Sequence, residues 1–230
     1  MFRLAKGVFA CASEEGAIVL DSRHDSYLGF DPEQERALGA LVIDWPRTTA
    51  AIANDAAVRF AHALTKRGVL ELDDGMDREI ATASPPAATE ALHRWEDMSA
   101  QDVRVRDVWT FSVACVVAGW YCRHGKIAAA IQRIRSRKSQ CARAYFDVSA
   151  AQIALSRYYH IRAFFFSKRG RCLFDSLTLL EFLARERLYP CWIIGVQIQP
   201  FAAHSWIQHG RFVLNGTPEF VRAYTPILAV

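Results

Sequence analysis

The sequence predicts an α+β protein built from two parts of opposite charge, and three observations indicate this arrangement. Residues 1–80 carry nine Lys and Arg against 14 Asp and Glu, a net charge of −5, whereas the remaining residues carry 19 and 10, a net charge of +9. Small residues and two prolines fill residues 81–89, where the sign of the charge changes. In the second part, helical patterns come first and strand patterns follow, as is typical of α+β domains.

The composition excludes several classes of protein. The chain has 230 residues, of which 52% are hydrophobic and 23% charged, so it is not disordered, collagen-like or a coiled coil. Its longest apolar stretch, Phe111 to Tyr121, has about half the length of a membrane-spanning helix. No signal-peptide pattern opens the sequence, so we expect a cytoplasmic protein without a membrane span. The six cysteines lack CxxC or zinc-finger spacing, and we expect free thiols and no metal.

The first part has the pattern of a small winged-helix-like module, in which three strands precede three helices. The strand patterns cover Gly7–Ala12, Ala17–Asp21 and Ser26–Phe30. Asp31, followed by a proline, predicts the start of the first helix. Thr48 or Thr49 could cap a short second helix. Apolar residues at helical spacing then predict a third helix that ends at Gly68.

A winged-helix pattern raises the possibility of DNA binding, but the charge of this module argues against it. Neutralisation of phosphates supplies most of the affinity for nucleic acids, and a net charge of −5 cannot provide it. The edge strand Ser26–Phe30 could instead accept an extended peptide as an added strand. The alternative is that Tyr27, Leu28 and Phe30 only fill a small core.

The second part reads as helices followed by an antiparallel sheet. Helical patterns cover Glu90–Met98, Val103–Cys122, Ile127–Ala144 and Phe146–Phe166. Strand patterns cover Cys191–Gln197, His204–Gln208 and Arg211–Leu214. A basic run in the third helix has two interpretations, a solvated helix face or a contact with an acidic partner. Its members are Arg133, Arg135, Arg137 and Lys138.

Cys172 is the cysteine best placed to act as a nucleophile. It falls at or just before the first turn of a leucine-rich helix. The unpaired N–H groups and the positive end of the helix dipole at such a position favour the thiolate, which is the reactive form of cysteine. Lys168, Arg169 and Arg171 add positive charge nearby.

His204, at the start of a strand, is the candidate general base for this thiol. A two-residue hairpin turn after that strand would pair Gln208 with Arg211. In this register Asn215 would lie directly across from His204 and could orient its imidazole, as in a Cys-His-Asn arrangement. Each of these residues alone is more typical of a buried structural side chain, and only their joint placement favours catalysis.

Several segments of the second part resemble the lasso peptide biosynthesis B protein family. They are Arg171–Leu173 at the helix start, Trp192–Val196, Pro200–Trp206, Leu214–Gly216 and Tyr224–Leu228. The first part is similar to the PqqD-like leader-recognition element that longer members of this family carry, with Asp21, Tyr27-Leu28 and Gly68–Leu70 in matching positions. The resemblance is strong from about residue 170 onward and weaker over residues 1–75.

This resemblance implies a function and a domain organisation. A PqqD-like recognition element would occupy residues 1–80, a linker residues 81–89, and a papain/transglutaminase-like cysteine protease domain residues 90–230. Such proteins bind the leader of a ribosomally made precursor peptide and cleave it from the core, which an asparagine-synthetase-like cyclase then closes into the lasso ring. Cys172 would be the nucleophile and His204 the general base, with no metal or other cofactor.

The resemblance also implies where the leader binds. It would lie as a strand beside Ser26–Phe30, packed against the helix that carries Phe60 and Leu64. The candidate leader-binding residues are Tyr27, Leu28, Phe30, Phe60 and Leu64.

One departure from the family pattern concerns the third catalytic residue. The family usually has an aspartate near the end of the strand after the histidine, where this sequence has Asn215-Gly216. Either Asn215 replaces the aspartate or its position has become Gly216, and Asp175 and Glu219 are more distant substitutes. Two other functions stay open: a non-catalytic scaffold that delivers the precursor to the cyclase, and an acyl transferase of the arylamine N-acetyltransferase type, which also uses a Cys-His-Asp set.

Overall fold

A computed structural model describes residues 1–47, 54–73, 75, 85–92, 103–140, 146–166 and 170–230. These residues form seven helices and three sheets, which confirms the predicted α+β class. In the second part the long helices precede most of the sheet, as the sequence pattern indicates.

The N-terminal module is built on a three-stranded antiparallel sheet with the order β2-β3-β4, in which β4 is an edge strand. Its strands are β2 (Val8–Ser13), β3 (Gly16–Asp21) and β4 (Ser26–Phe30), close to the predicted bounds. Two helices, α1 (Pro32–Leu41) and α2 (Asp55–Lys66), follow. Strands β1 (Phe2–Leu4) and β5 (Leu70–Leu72) pair with each other and were not predicted, because three residues are too few to show a period.

Local signals explain where these helices begin and end. The side chain of Asp31 accepts hydrogen bonds from the first-turn backbone of α1 and so caps it, as predicted. Asn54 caps α2, and Gly68, at φ +72°, follows its end. The helix predicted to start at Thr48 or Thr49 lies outside the described residues.

The second part contains the larger sheet, whose strand order is β10-β7-β8-β9-β6. The strands are β6 (Glu90–Ala91), β7 (Cys191–Gln197), β8 (Ala202–His209), β9 (Phe212–Val213) and β10 (Thr225–Ala229). The predicted helix from Glu90 is wrong at its first residues, because the backbone there pairs with the free edge of β9. The rest of that predicted helix, residues 93–98, lies outside the described part of the chain.

Four long helices and one short helix complete this part. They are α3 (Val105–Arg123), α4 (Ile127–Gln140), α5 (Val148–Phe165), α6 (Cys172–Arg185) and α7 (Pro218–Val221). The basic run on α4 makes an internal contact that the sequence analysis did not foresee. Arg133 and Arg137 donate hydrogen bonds of 3.0 and 2.8 Å to Glu181 of α6 and tie these two helices together.

Strands β2 and β3 of the N-terminal sheet are buried on both faces, and one of these faces shares a hydrophobic core with the second part. One face packs with the helices of the second part through Phe9, Cys11, Ile18 and Leu20. The other face packs with α1 and α2 through Val8, Ala10, Ala17 and Val19. The alternation along β2 and β3 therefore supplies two cores at once. Among the described residues, no helix is both long and apolar enough to cross a membrane.

The turn between β3 and β4 is held by the buried carboxylate of Asp21. It accepts hydrogen bonds from Arg23 at 2.7 and 2.8 Å and pairs with His24 Nδ1 at 2.9 Å. Arg23 also donates to the carbonyl of Gly68 at 2.7 Å, which ties the turn to the end of α2. Burial alone would raise the pKa of Asp21, but the hydrogen bonds outweigh it and hold the pKa well below its ordinary value.

Asp21→Asn should therefore lower the free energy of unfolding at pH 7 by about 1–3 kcal/mol, because it removes hydrogen bonds between charged groups. A carboxyl whose pKa is depressed on folding stabilises the protein above its unfolded pKa and loses that effect as the pH falls. The difference from wild type should therefore shrink progressively below about pH 4. Urea denaturation at several pH values measures this, with the exposed Glu14→Gln as control, and a difference independent of pH would contradict it.

Candidate active site

Cys172 is the first residue of α6, and its side chain is half-buried. The preceding residue, Arg171, occupies the N-cap position without making a side-chain cap, in contrast to Asp31 on α1 and Asp147 on α5. The first-turn N–H groups of α6 are therefore not covered by their N-cap side chain. The thiol lies at the positive end of the helix dipole, as predicted from the sequence. Lys168 and Arg169, which supported that prediction, lie outside the described residues.

The charge of Cys172 affects side chains on two elements other than α6, namely β4 and α3. Burial raises the pKa of Tyr27 on β4 to about 12, and the charges of Asp25 and Cys172 contribute to that rise. Burial likewise raises the pKa of Cys122, near the end of α3, to about 11, again with contributions from Asp25 and Cys172. The nucleophile candidate thus lies within electrostatic reach of the N-terminal module, a proximity that no local sequence pattern could have revealed.

Below the thiol, a buried polar network fixes the start of α6. Asp175 has no exposed surface. Its carboxylate accepts hydrogen bonds from Tyr158 at 3.0 Å, Arg162 at 3.1 Å and Asn215 at 3.2 Å. The network connects α6 to α5 and to the chain after β9. Asp175, considered above as a substitute for the third catalytic residue, is therefore engaged in an internal ion pair with Arg162.

Asn215 is a buried member of this network. Its Oδ1 accepts a hydrogen bond of 2.8 Å from the backbone N–H of Ile207, and its Nδ2 donates to Asp175 and, at 3.0 Å, to Ser176. The Asn215 side chain thus bonds to the backbone of β8 at Ile207, a position past the end of the short strand β9. Its position links β8 to α6 directly.

The predicted hairpin register is wrong, and Asn215 does not pair across from His204 in the β-ladder. Gln208 pairs with Val213 rather than with Arg211, because the turn lies one residue later than predicted. The turn is formed by Gly210, at φ +53°, and Arg211. Glycine tolerates this left-handed conformation, which explains the choice of turn position.

His204 lies on β8 opposite Gly195 of β7. Strand alternation places His204 and Trp206 on one face and Ser205 on the other. The Ser205 face carries the core that includes α6, where Ser205 accepts a hydrogen bond of 2.8 Å from the Trp192 indole. His204 therefore lies on the face of the sheet away from the core that includes α6, and its catalytic pairing with Cys172 stays a prediction.

The imidazole of His204 has aromatic neighbours on its face of the sheet. Its ring centroid lies 4.9 Å from that of Phe220 and 5.3 Å from that of Tyr224. Trp206 stacks in parallel with it at 6.1 Å. Gly195 makes this packing possible, because a Cβ atom there would come within 2.7 Å of the Trp206 ring. No local sequence pattern indicates that Phe220 and Tyr224 lie beside His204.

The predicted leader-binding residues do not share one face. Phe30 and Leu64 are buried in the core of the N-terminal module, with Leu28 and Phe60 partly buried against it. Tyr27 points the other way and packs on Phe201, at 5.4 Å between ring centroids. The first four therefore lie on the side of the sheet that packs on α1 and α2. Tyr27 lies at the junction with the second part.

A cavity of about 440 Å³ lies at this junction. Tyr27, Gly29 and Phe30 of β4 line one side, and Ile198 and Phe201 of the β7–β8 turn line the other. No local sequence pattern could indicate this cavity, because the residues of its two walls are far apart along the chain. Among the described residues, no three His, Cys, Asp or Glu side chains are grouped as a metal site would require.

The hydrogen bonds of Asn215 allow a test of its structural role. Asn215→Asp would place a second carboxylate beside Asp175 in the core, and we expect it to lower the free energy of unfolding by about 2 kcal/mol or more. The pKa of the new carboxyl would be raised on folding, so the stability of the variant should be retained at low pH and lost as the pH rises above about 4.

Thermal unfolding across pH measures this effect. The matched control is Gln152→Glu, which makes the same chemical change at an exposed position of α5. A fully stable Asn215→Asp variant at pH 8 would contradict the network described above.

Part of the chain matches a known protein family. Residues 108–229 match the model of the Transglutaminase-like superfamily. This segment is more than half of the chain and contains Cys172, His204 and Asn215. Neither the curated proteins nor the solved structures contain a match to the chain. The chain belongs to the transglutaminase-like superfamily.

Proposed function

We propose that this protein is the leader peptidase of a lasso peptide pathway. In this proposal the N-terminal module binds the leader of the precursor, and Cys172 attacks the peptide bond between leader and core. The transglutaminase-like match over residues 108–229 supports a domain with this type of chemistry. The resemblance of residues 170–230 to lasso peptide B proteins supports the choice of substrate.

The observation that carries the proposal is the position of Cys172. It is a half-buried thiol at a helix start that Arg171 leaves uncapped, within electrostatic reach of Tyr27 on β4. Because β4 is an edge strand, a leader added to it would run beside Tyr27, whose pKa is affected by the charge of Cys172. Binding and cleavage would then take place on one continuous peptide.

The chemistry proceeds in two steps. The Cys172 thiolate attacks the scissile carbonyl carbon, and the C–N bond breaks as His204 in its imidazolium form protonates the leaving amine of the core. A leader thioester remains on Cys172. His204, now neutral, takes a proton from water, and the hydroxide released attacks the thioester to free the leader and the thiolate. First-turn N–H groups of α6 would stabilise both oxyanions.

Cys172→Ala should abolish cleavage, with a loss of roughly a thousandfold or more, because no other group replaces the nucleophile. The substrate is a candidate lasso precursor peptide, and intact-mass measurement follows the release of leader and core. Cys122→Ala is the matched control, since it removes a neighbouring half-buried thiol. Equal cleavage by wild type and Cys172→Ala would remove the proposed role of Cys172.

A second candidate function is a scaffold that delivers the precursor to the cyclase without cutting it. The position of Asn215 in a structural network, together with Gly216 after it, favours this alternative. In that case the wild type would bind the precursor and leave its mass unchanged. Turnover of acetyl-CoA with an arylamine by the wild type would instead indicate an acyl transferase.

Leader capture by β4 has a separate test. Leu28→Ala should weaken binding of the labelled precursor to the Cys172→Ala protein by roughly tenfold, because the side chain lies half-buried on the face toward α2. Leu41→Ala, which trims a side chain of α1 packed on the same cluster, is the matched control. Fluorescence anisotropy measures both affinities. Equal losses in the two variants would mean that β4 has no special part in binding.

A further inference from the structure

The outer face of α3 is unusually apolar for a helix at the protein surface. Four of its side chains are largely exposed: Val105 at 88%, Trp109 at 72%, Val116 at 72% and Trp120 at 45%. These four residues are called the α3 stripe below. Exposed single apolar residues are common, but two tryptophans and two valines along one helix form a continuous surface feature.

Helix geometry places the α3 stripe on one side. With 100° between successive residues, its four members fall within about 60° of one another and extend over roughly 22 Å of the helix axis. Phe111, Ala114 and Ala118 occupy the opposite side and are buried against the protein. Both sides of α3 are therefore apolar. A helix of this kind is normally covered all round, which indicates that something covers the outer side.

The charges around the stripe indicate the nature of that cover. Residues 103–126, which contain α3 and the turn after it, include four Lys and Arg and a single acidic residue, Asp107. Asp107 is 2% exposed, so it adds almost no negative charge to the surface. At the N-terminal end of the stripe Arg106 pairs with Glu186 at 3.4 Å, whereas at the other end Arg123 is exposed and the Lys126 ammonium lies 4.3 Å from the centre of the Trp120 ring. The covering surface should therefore be anionic.

A second copy of the chain does not fit this surface. Parallel pairing of two α3 stripes would bring Arg123 and Lys126 of both copies together, and antiparallel pairing would offer them Glu186, which already pairs with Arg106. We propose instead that the α3 stripe binds the surface of an anionic lipid bilayer. Tryptophan and aliphatic side chains flanked by Lys and Arg are the combination that inserts at the headgroup level of membranes. Anionic lipids attract each nearby basic side chain in addition. This inference is independent of the chemistry proposed for Cys172.

The test is flotation of the full-length protein with lipid vesicles. Phosphatidylcholine vesicles with about one third phosphatidylglycerol should carry the protein upward, and pure phosphatidylcholine vesicles should carry at least roughly tenfold less. The double variant Trp109→Ser/Val116→Ser should lose about tenfold or more of the binding. Arg123→Gln/Lys126→Gln should reduce binding to a similar extent and weaken its dependence on salt.

The matched control is Ile43→Ser/Leu72→Ser, which removes two exposed apolar side chains from the N-terminal module. It should float like the wild type, and circular dichroism verifies that all variants are folded. The proposal is overturned if the wild type ignores both vesicle types, binds them equally, or binds as well after the stripe is removed. It is also overturned if light scattering shows a dimer that Trp109→Ser/Val116→Ser converts to monomer, since the stripe would then join two copies.

Discussion

The fully buried carboxylate of Asp175 is the constraint on which the candidate site depends. It joins Tyr158 and Arg162 of α5 to the start of α6 and, through Asn215, to the backbone of β8. A buried charge is tolerated only when it is paired and fully hydrogen-bonded, so the three elements must keep these positions together. Cys172 lies one helical turn before Asp175, and its position follows from this arrangement.

A second constraint, the packing of the N-terminal sheet, holds the small module against the larger domain. Strands β2 and β3 are buried on both faces, and Tyr27 of β4 packs on Phe201 of the second part, close enough to Cys172 for its charge to affect the pKa of Tyr27. The edge strand β4 and the start of α6 therefore belong to two parts that pack on each other through a shared apolar cluster. In the proposed function, this geometry sets the distance along the precursor between the bound leader and the bond that is cut.

The sequence predicted those features that depend on local periodicity or a single capping residue. The strands β2, β3 and β4, the cap at Asp31 and the helix start at Cys172 were all found in this way. The sequence-based predictions were wrong where pairing with a distant part of the chain determines the local structure. The backbone at Glu90 becomes a strand only because β9 offers a free edge, and the hairpin turn shifts by one residue to place Gly210 at positive φ. The packing of Tyr27 on Phe201 joins residues far apart in sequence, so no local pattern could show it.

The central claim is that Cys172 is presented as the reactive thiol, and its rate of alkylation tests this most directly. Burial raises the pKa of Cys11, Cys115 and Cys122 to about 11, which suppresses their reaction at neutral pH. Native protein is treated briefly with iodoacetamide, and peptide mass spectrometry quantifies each cysteine, with urea-unfolded protein as the reference for equal access. The account predicts that Cys172 reacts at least about tenfold faster than these three thiols. A Cys172 that reacts no faster than they do would contradict it.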